Sequence, residues 1–177
     1  MSNISPKKKE NIGLSPYDLK FRGRKRADKV RMTVFDITPD NVTETQIHSV
    51  EELRKYRDSS SITWINVDGL HNEQIIGDIS TIFSIPAYIL SDVMEPSSRP
   101  QTEAFDNGFF VSIKMLESDD KKNTIGVDNL SLIVMDRILI TFQEEKGDVF
   151  DPVRDRIRKH TTKIRTSGAD YLAFSLL

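Results

Sequence analysis

The side chains most able to do chemistry are the three histidines, His48, His71 and His160, and their spacing assigns them none. Histidines that share a metal recur at short intervals or join cysteines. These three are scattered, and the chain has no cysteine, which removes disulfides and thiolate metal sites and agrees with a reducing compartment. No glycine-rich phosphate loop occurs, since the eight glycines fall mostly at turns. No Ser-His-Asp or Cys-His arrangement follows from spacing. The chain is therefore not read as an enzyme. The acidic pairs Asp119-Asp120 and Glu144-Glu145 fall at expected turns or strand ends, where they read as solvated charge.

One carboxylate stands apart. Asp92 lies in an otherwise apolar helical stretch beside Ile89, Leu90, Val93 and Met94. If the outer face of that helix met another subunit, Asp92 could oppose a carboxylate there, and two such groups repel unless a divalent cation bridges them. Magnesium, which prefers carboxylate oxygens and water, suits that role. Taken without further context, the residues favour the plainer reading of an exposed helix aspartate with no role.

Charge is unevenly spread. The 177 residues carry 25 Lys or Arg and 27 Asp or Glu, yet residues 1–31 hold ten basic side chains against three acidic ones. The densest part is FRGRKRADKVR, Phe21 to Arg31. Such an arm could touch RNA or an anionic membrane surface; the alternative is a solvated tail before the first strand. No stretch approaches the ~20 apolar residues that span a bilayer, and no N-terminal apolar run resembles a signal peptide, so the chain as given is expected to be soluble.

The elements that must position these residues can be read in order. Residues up to about Lys29 read as a loose arm. VRMTVFDIT (Val30–Thr38) has strand composition, with NVTETQI (Asn41–Ile47) returning beside it. Ser49 and Glu52 form a capping box that opens a short helix through Tyr56. SITWINVDG (Ser61–Gly69) is a β-rich run. Asn72 caps a helix whose Ile75, Ile76, Ile79, Ile82 and Phe83 recur at helical spacing. Pro86 suits the first turn of PAYILSDVME, which stops before Pro96. QTEAF, the turn Asp106–Gly108 and FFVSIKML form a hairpin. The polar turn ESDDKKNT, then GVDNLSLIVMD and ILITFQE, complete an antiparallel meander. Asp151-Pro152 starts a helix with Val153 and Ile157 on one face, and a last helix follows Gly168. A mixed sheet with helices against it is expected.

Several stretches together resemble one family. TWINVDGL (Thr63–Leu70), AYILSDVMEPSSRPQTEAFDNGFF (Ala87–Phe110) and FQEEKGDVFDPVRDRIR (Phe142–Arg158) followed by ADYLAFSLL are similar, in order and spacing, to the cytoplasmic N-terminal domain of CorA-type magnesium/cobalt transport proteins. The similarity runs from about Val30 to the last residue. It implies an α/β/α sandwich around a mixed sheet over residues 30–166, preceded by the basic arm of residues 1–29. In the family a long stalk helix follows, then two transmembrane helices separated by a loop bearing Gly-Met-Asn, with five subunits around the pore. A zinc-transporting branch shares that architecture. The implied location is the cytoplasmic face of the cell membrane, the implied ions are Mg2+ and Co2+, and no nucleic-acid partner is implied. The chain alone is expected to be a monomer or a weak oligomer.

The family's Leu-acidic-Asp-hydrophobic segment, whose carboxylates bind regulatory divalent cations between subunits, reads Leu90-Ser91-Asp92-Val93 here. By resemblance, Asp92 is a regulatory metal ligand whose partner carboxylates fall beyond residue 177. Ser91 departs from the pattern, since a hydroxyl replaces a frequent carboxylate and puts a second site in doubt. The final SGADYLAFSLL (residues 167–177) then reads as the first turns of the stalk. Ser167 is its expected cap, and its apolar surface is expected to pack back on the domain or fray.

Overall fold

The computed structural model describes residues 19–23, 25–119, 124–145, 147–159 and 163–177. Seven strands form one sheet: β1 (Arg31–Ile37), β2 (Val42–Ile47), β3 (Ile62–Asp68), β4 (Gln101–Phe105), β5 (Gly108–Asp119), β6 (Thr124–Met135) and β7 (Ile138–Gln143). Their spatial order is β2-β1-β3-β7-β6-β5-β4, and every neighbouring pair is antiparallel except β3 with β7. The expected meander is present as β5-β6-β7, and the single parallel pair makes the sheet mixed.

Burial explains why β3 and β7 lie at the centre. All seven residues of β3 and all six of β7 are buried, whereas β4 at one edge is largely exposed. Successive side chains in a strand point to opposite faces, so a strand apolar at consecutive positions must be covered on both sides. One face carries Val34, Ile65, Val67, Ile140 and Phe142. Against it lie α1 (Arg54–Arg57), α2 (Glu73–Phe83) and α3 (Ala87–Val93), through Tyr56, Ile76, Ile79, Ile82, Ile89 and Val93. The other face carries Phe35, Trp64, Leu132 and Leu139, covered by α4 (Asp151–Arg158) and α5 (Ala169–Leu176) through Val153, Ile157, Leu172 and Leu176. The result is the expected α/β/α sandwich.

Local signals behave as their chemistry requires, with two adjustments. The Asn72 side chain accepts from the Ile75 N–H at 3.2 Å and starts α2. The Glu52 carboxylate accepts from the Ser49 N–H at 2.8 Å, but the turn it closes is a 3-10 helix, Val50–Leu53, that only then runs into α1. At the last helix the capping position is Gly168, not Ser167. Its φ of 98° lies in the left-handed region that favours glycine, and the Asp170 carboxylate takes the first-turn Tyr171 N–H at 2.8 Å. α5 packs on the sheet with Ala169, Leu172, Ala173 and Leu176 buried, while Phe174 and Leu177 are exposed. Within the span expected to be a loose arm, Leu19 and Phe21 pack against the first core, and Arg26 pairs with Asp128 at 2.6 Å.

Candidate functional site

α3 sets the position of Asp92. Pro86, with φ of −58°, precedes its first turn, and Ile89, Leu90 and Val93 go into the first core. That packing fixes the rotation of the helix and leaves Asp92 partly exposed on its flank, whereas Ser91 is buried at 8% exposure. Three residues on, Glu95 continues the same side: its N–H donates to the Asp92 carbonyl at 3.1 Å.

Beneath this flank, α3 and the turn at Pro96 cross the β4-β5-β6 end of the sheet over a polar seam. The Gln101 amide donates to Asp92 Oδ2 at 3.0 Å. Gln101 is paired in register with Ser112, whose hydroxyl donates to Asn129 Oδ1 at 3.2 Å. Lys114 Nζ donates to the same oxygen at 2.8 Å and to the Pro96 carbonyl, tying the loop after α3 to β5. Burial pushes the Lys114 ammonium below its ordinary pKa, opposed by the Glu144 charge. Burial likewise pushes the Asp92 carboxyl up; the Gln101 amide works against this, the Glu95 charge adds to it, and the Arg22 charge opposes it.

A third segment closes the site. The Arg22 N–H donates to the Met94 carbonyl at 2.9 Å, and Arg22 Nη1 meets Glu95 Oε2 at 2.6 Å. The Phe21 N–H donates to Glu73 Oε1 at 3.2 Å, which anchors the same stretch to α2.

Chemically, Asp92 offers one carboxylate oxygen, Oδ1, that accepts no hydrogen bond from the described residues. No group of three or more His, Cys, Asp or Glu converges to hold a metal among the described residues. A hard divalent cation takes several oxygen ligands, and Asp92 offers one of them.

The remaining candidates are placed as follows. His48 is exposed, and its backbone N–H donates to Glu52. His71 is held below the ordinary histidine pKa first by burial, then by the Lys25 charge. His160 and Asp120 lie outside the described residues, as does the side chain of Asp119. The pair Glu144-Glu145 needs correction. Glu144 is buried, and its Oε1 lies so close to Gly23 that a Cβ there would sit 2.6 Å away; Glu145 pairs with Arg26 at 3.2 Å. The arm folds back over this strand end and takes Glu144 out of solvent, while the Glu145 side chain stays 43% exposed. Gln101, Lys114 and the Arg22–Glu95 pair went unnoticed in the sequence because their partners lie 9 to 73 residues away.

The opposite face has a polar groove of about 650 Å³ whose lining includes Arg31, Asn66, Asp68, Asp148 and Arg154. Much of its polarity is turned inward. Arg154 grips Asp148 at 2.5 and 2.6 Å, and the Asn66 amide donates to Asp68 at 3.0 Å.

An α/β/α domain with a mixed seven-stranded sheet is a fold shared with solved soluble domains of known proteins. The soluble domain of CorA from Methanocaldococcus jannaschii matches with a TM-score of 0.57 and 14% identity, over 84% of this chain and 54% of that one. The ZntB cytoplasmic domain from Vibrio parahaemolyticus matches with a TM-score of 0.55 and 14% identity, over 83% and 57%. The sequence profile of the family described as "CorA-like Mg2+ transporter protein" matches residues 59–177. The chain belongs to that family. It is 36% identical over 165 residues to the cobalt/magnesium transport protein CorA of Thermotoga maritima, which covers 93% of this chain and 47% of the relative. The chain thus spans about half the length of that relative. No helix among the described residues is long and apolar enough to cross a membrane.

Proposed function

We propose that this chain is the divalent-cation-sensing cytoplasmic domain of a CorA-type transport protein, with Asp92 as its ligand at a subunit boundary. The observation that carries the reading is the 36% identity, over nearly the whole chain, to a protein named for cobalt and magnesium transport. The free Oδ1 of Asp92 on the flank of α3 is consistent with it. In this reading residues 30–166 are the sensing domain and residues 167–177 begin the stalk helix. The partner carboxylates come from a neighbouring subunit of a pentamer whose pore lies in the membrane.

The mechanism is differential binding. With Mg2+ abundant, the cation bridges carboxylates across the boundary and favours the closed arrangement. As it falls, the bare carboxylates repel and the interfaces loosen. Mg2+ parts reluctantly with its water, so one or two carboxylates suit a weak, millimolar-range sensor. The test is inhibition of the full-length channel by internal Mg2+. Asp92→Ala should weaken it, and unchanged inhibition would remove Asp92 from the site.

A second reading, Zn2+ as the transported ion, draws on the likeness to the ZntB domain, which the fold alone matches about as well as the CorA domain. The sequence relative named for cobalt and magnesium favours Mg2+ and Co2+. Ion-flux assays on the full-length protein separate the two. The third possibility, an RNA- or lipid-binding arm, is weakened by the use of Arg22 and Arg26 in internal ion pairs.

A further inference from the structure

The stretch Leu19–Gly23 crosses the outside of the helical layer as a strap. Leu19 and Phe21 are held by the first core, the Phe21 N–H by Glu73, and the Arg22 N–H by the Met94 carbonyl. Gly23 permits the close approach, since a Cβ there would fall 2.5 Å from the Phe21 ring and 2.6 Å from Glu144 Oε1. The strap sets one guanidinium against Glu95, just past the end of α3, where its charge is also felt by Asp92. Arg22 pairs with Glu95 at 2.6 Å, and Glu95 follows Asp92 by one helical step.

We propose that Arg22 is a built-in counter-cation which competes with a divalent cation for the carboxylates of Asp92, on α3, and Glu95, just past its end, so that the strap and the metal exclude one another. This rests on the reading of Asp92 as a cation ligand and adds its regulation. The reasoning is charge balance. Asp92 and Glu95 carry two negative charges, and Arg22 neutralises one of them. A dication arriving while Arg22 is docked meets a net charge of one; with the strap released it meets two. By linkage, each must weaken the other by the same factor. The clamp is also imperfect. Arg22 Nε is buried with no acceptor among the described residues, so the guanidinium holds its place with part of its hydrogen-bonding capacity unused.

The test uses the full-length protein, in which the partner carboxylates are present, with Mn2+ as probe, titrated by electron paramagnetic resonance at fixed ionic strength. Hydrogen exchange at the Arg22 amide reports the strap. Arg22→Gln should bind Mn2+ about three- to tenfold more tightly than the unsubstituted chain, the range expected for removing one charge near a partly solvated dication. Arg22→Lys should stay near the parent value, and Glu95→Gln should bind more weakly. Saturating Mn2+ should speed exchange at the Arg22 amide. Equal affinity for Arg22→Gln and the parent, including undetectable binding by both, overturns the proposal, as does Arg22→Lys behaving like Arg22→Gln. Asp92→Asn separates the two layers. If Arg22→Gln brings no gain yet Asp92→Asn weakens binding, the strap falls and the Asp92 reading stands. If Asp92→Asn leaves Mn2+ affinity unchanged while Arg22→Gln still raises it, the strap stands on Glu95 and the Asp92 reading falls. Circular dichroism of each variant confirms that the fold is kept.

Discussion

Arg154 offers the sharpest test of what holds the second layer to the sheet. Its guanidinium is 14% exposed and meets Asp148, 5% exposed, through two bonds of 2.5 and 2.6 Å, with a third to Asp151 at 3.0 Å. It also lies over the rings of Trp64 and Phe35, 5.2 and 5.8 Å from their centroids. Burial works against its charge, but the Asp148 contacts outweigh that and raise its pKa. Replacing Arg154 by Met keeps the apolar stem and removes the charge. Breaking one side of a buried pair costs about 3–5 kcal/mol, because the remaining charge is left in a dry site. Here Asp148 keeps one partner, the Phe150 N–H at 3.0 Å, so the expected loss is smaller, about 2–4 kcal/mol. For a chain of this size that corresponds to a fall in Tm of about 5–15 °C. Urea unfolding of Arg154→Met, Asp148→Asn and the double variant gives the answer. The double variant should cost clearly less than the two singles together. A loss below about 1 kcal/mol for Arg154→Met, or simple additivity, would refute the argument that a desolvated pair fastens α4.

Three further outcomes can be checked in the same way. Thr141→Val cuts a buried chain in which the Trp64 indole donates to Thr141 at 2.9 Å and Thr141 donates to Asn66 at 2.7 Å; a loss of about 2–3 kcal/mol is expected by urea unfolding, since two buried groups lose their partner. Leu172→Ala empties a fully buried position where α5 meets the sheet and should cost about 2–4 kcal/mol; a loss under about 1 kcal/mol by thermal melting would mean that α5 is not part of the folded unit. Asp92 has a folded pKa raised chiefly by burial, so its contribution favours the fold below the ordinary carboxylate pKa and is lost as pH rises through the folded value. Asp92→Asn does not titrate, so its stability relative to the parent should improve between about pH 3 and 6, by less than about 1 kcal/mol given its partial exposure. A gap that does not change with pH would show that burial exerts no such pressure on Asp92.

Much of the architecture was legible because the signals were local and chemical. The Asn72 cap and the isoleucines after it, Pro86 before α3, Asp106-Asn107 between β4 and β5, and Asp151-Pro152 at α4 each act within a few residues. ITWINVD was legible as a strand, but the burial of all seven residues, Thr63, Asn66 and Asp68 included, came from the helices that cover both faces. Asp92 was legible only as an oddity, a carboxylate in an apolar helix, and the role proposed for it rests on resemblance. The Glu144 reading failed for a physical reason: a charged pair at a strand end looks solvated until another segment folds over it.

By itself, then, the sequence determined the order and kind of the elements and the helix on which Asp92 rides. Only the tertiary structure decided what surrounds that carboxylate. Gln101 beneath it, Glu95 beside it and Arg22 brought across from a segment seventy-three residues before Glu95 are contacts between distant positions. Local propensity has no term for them; they exist because burying the apolar sides of α3 and the strap fixes where their polar sides must lie.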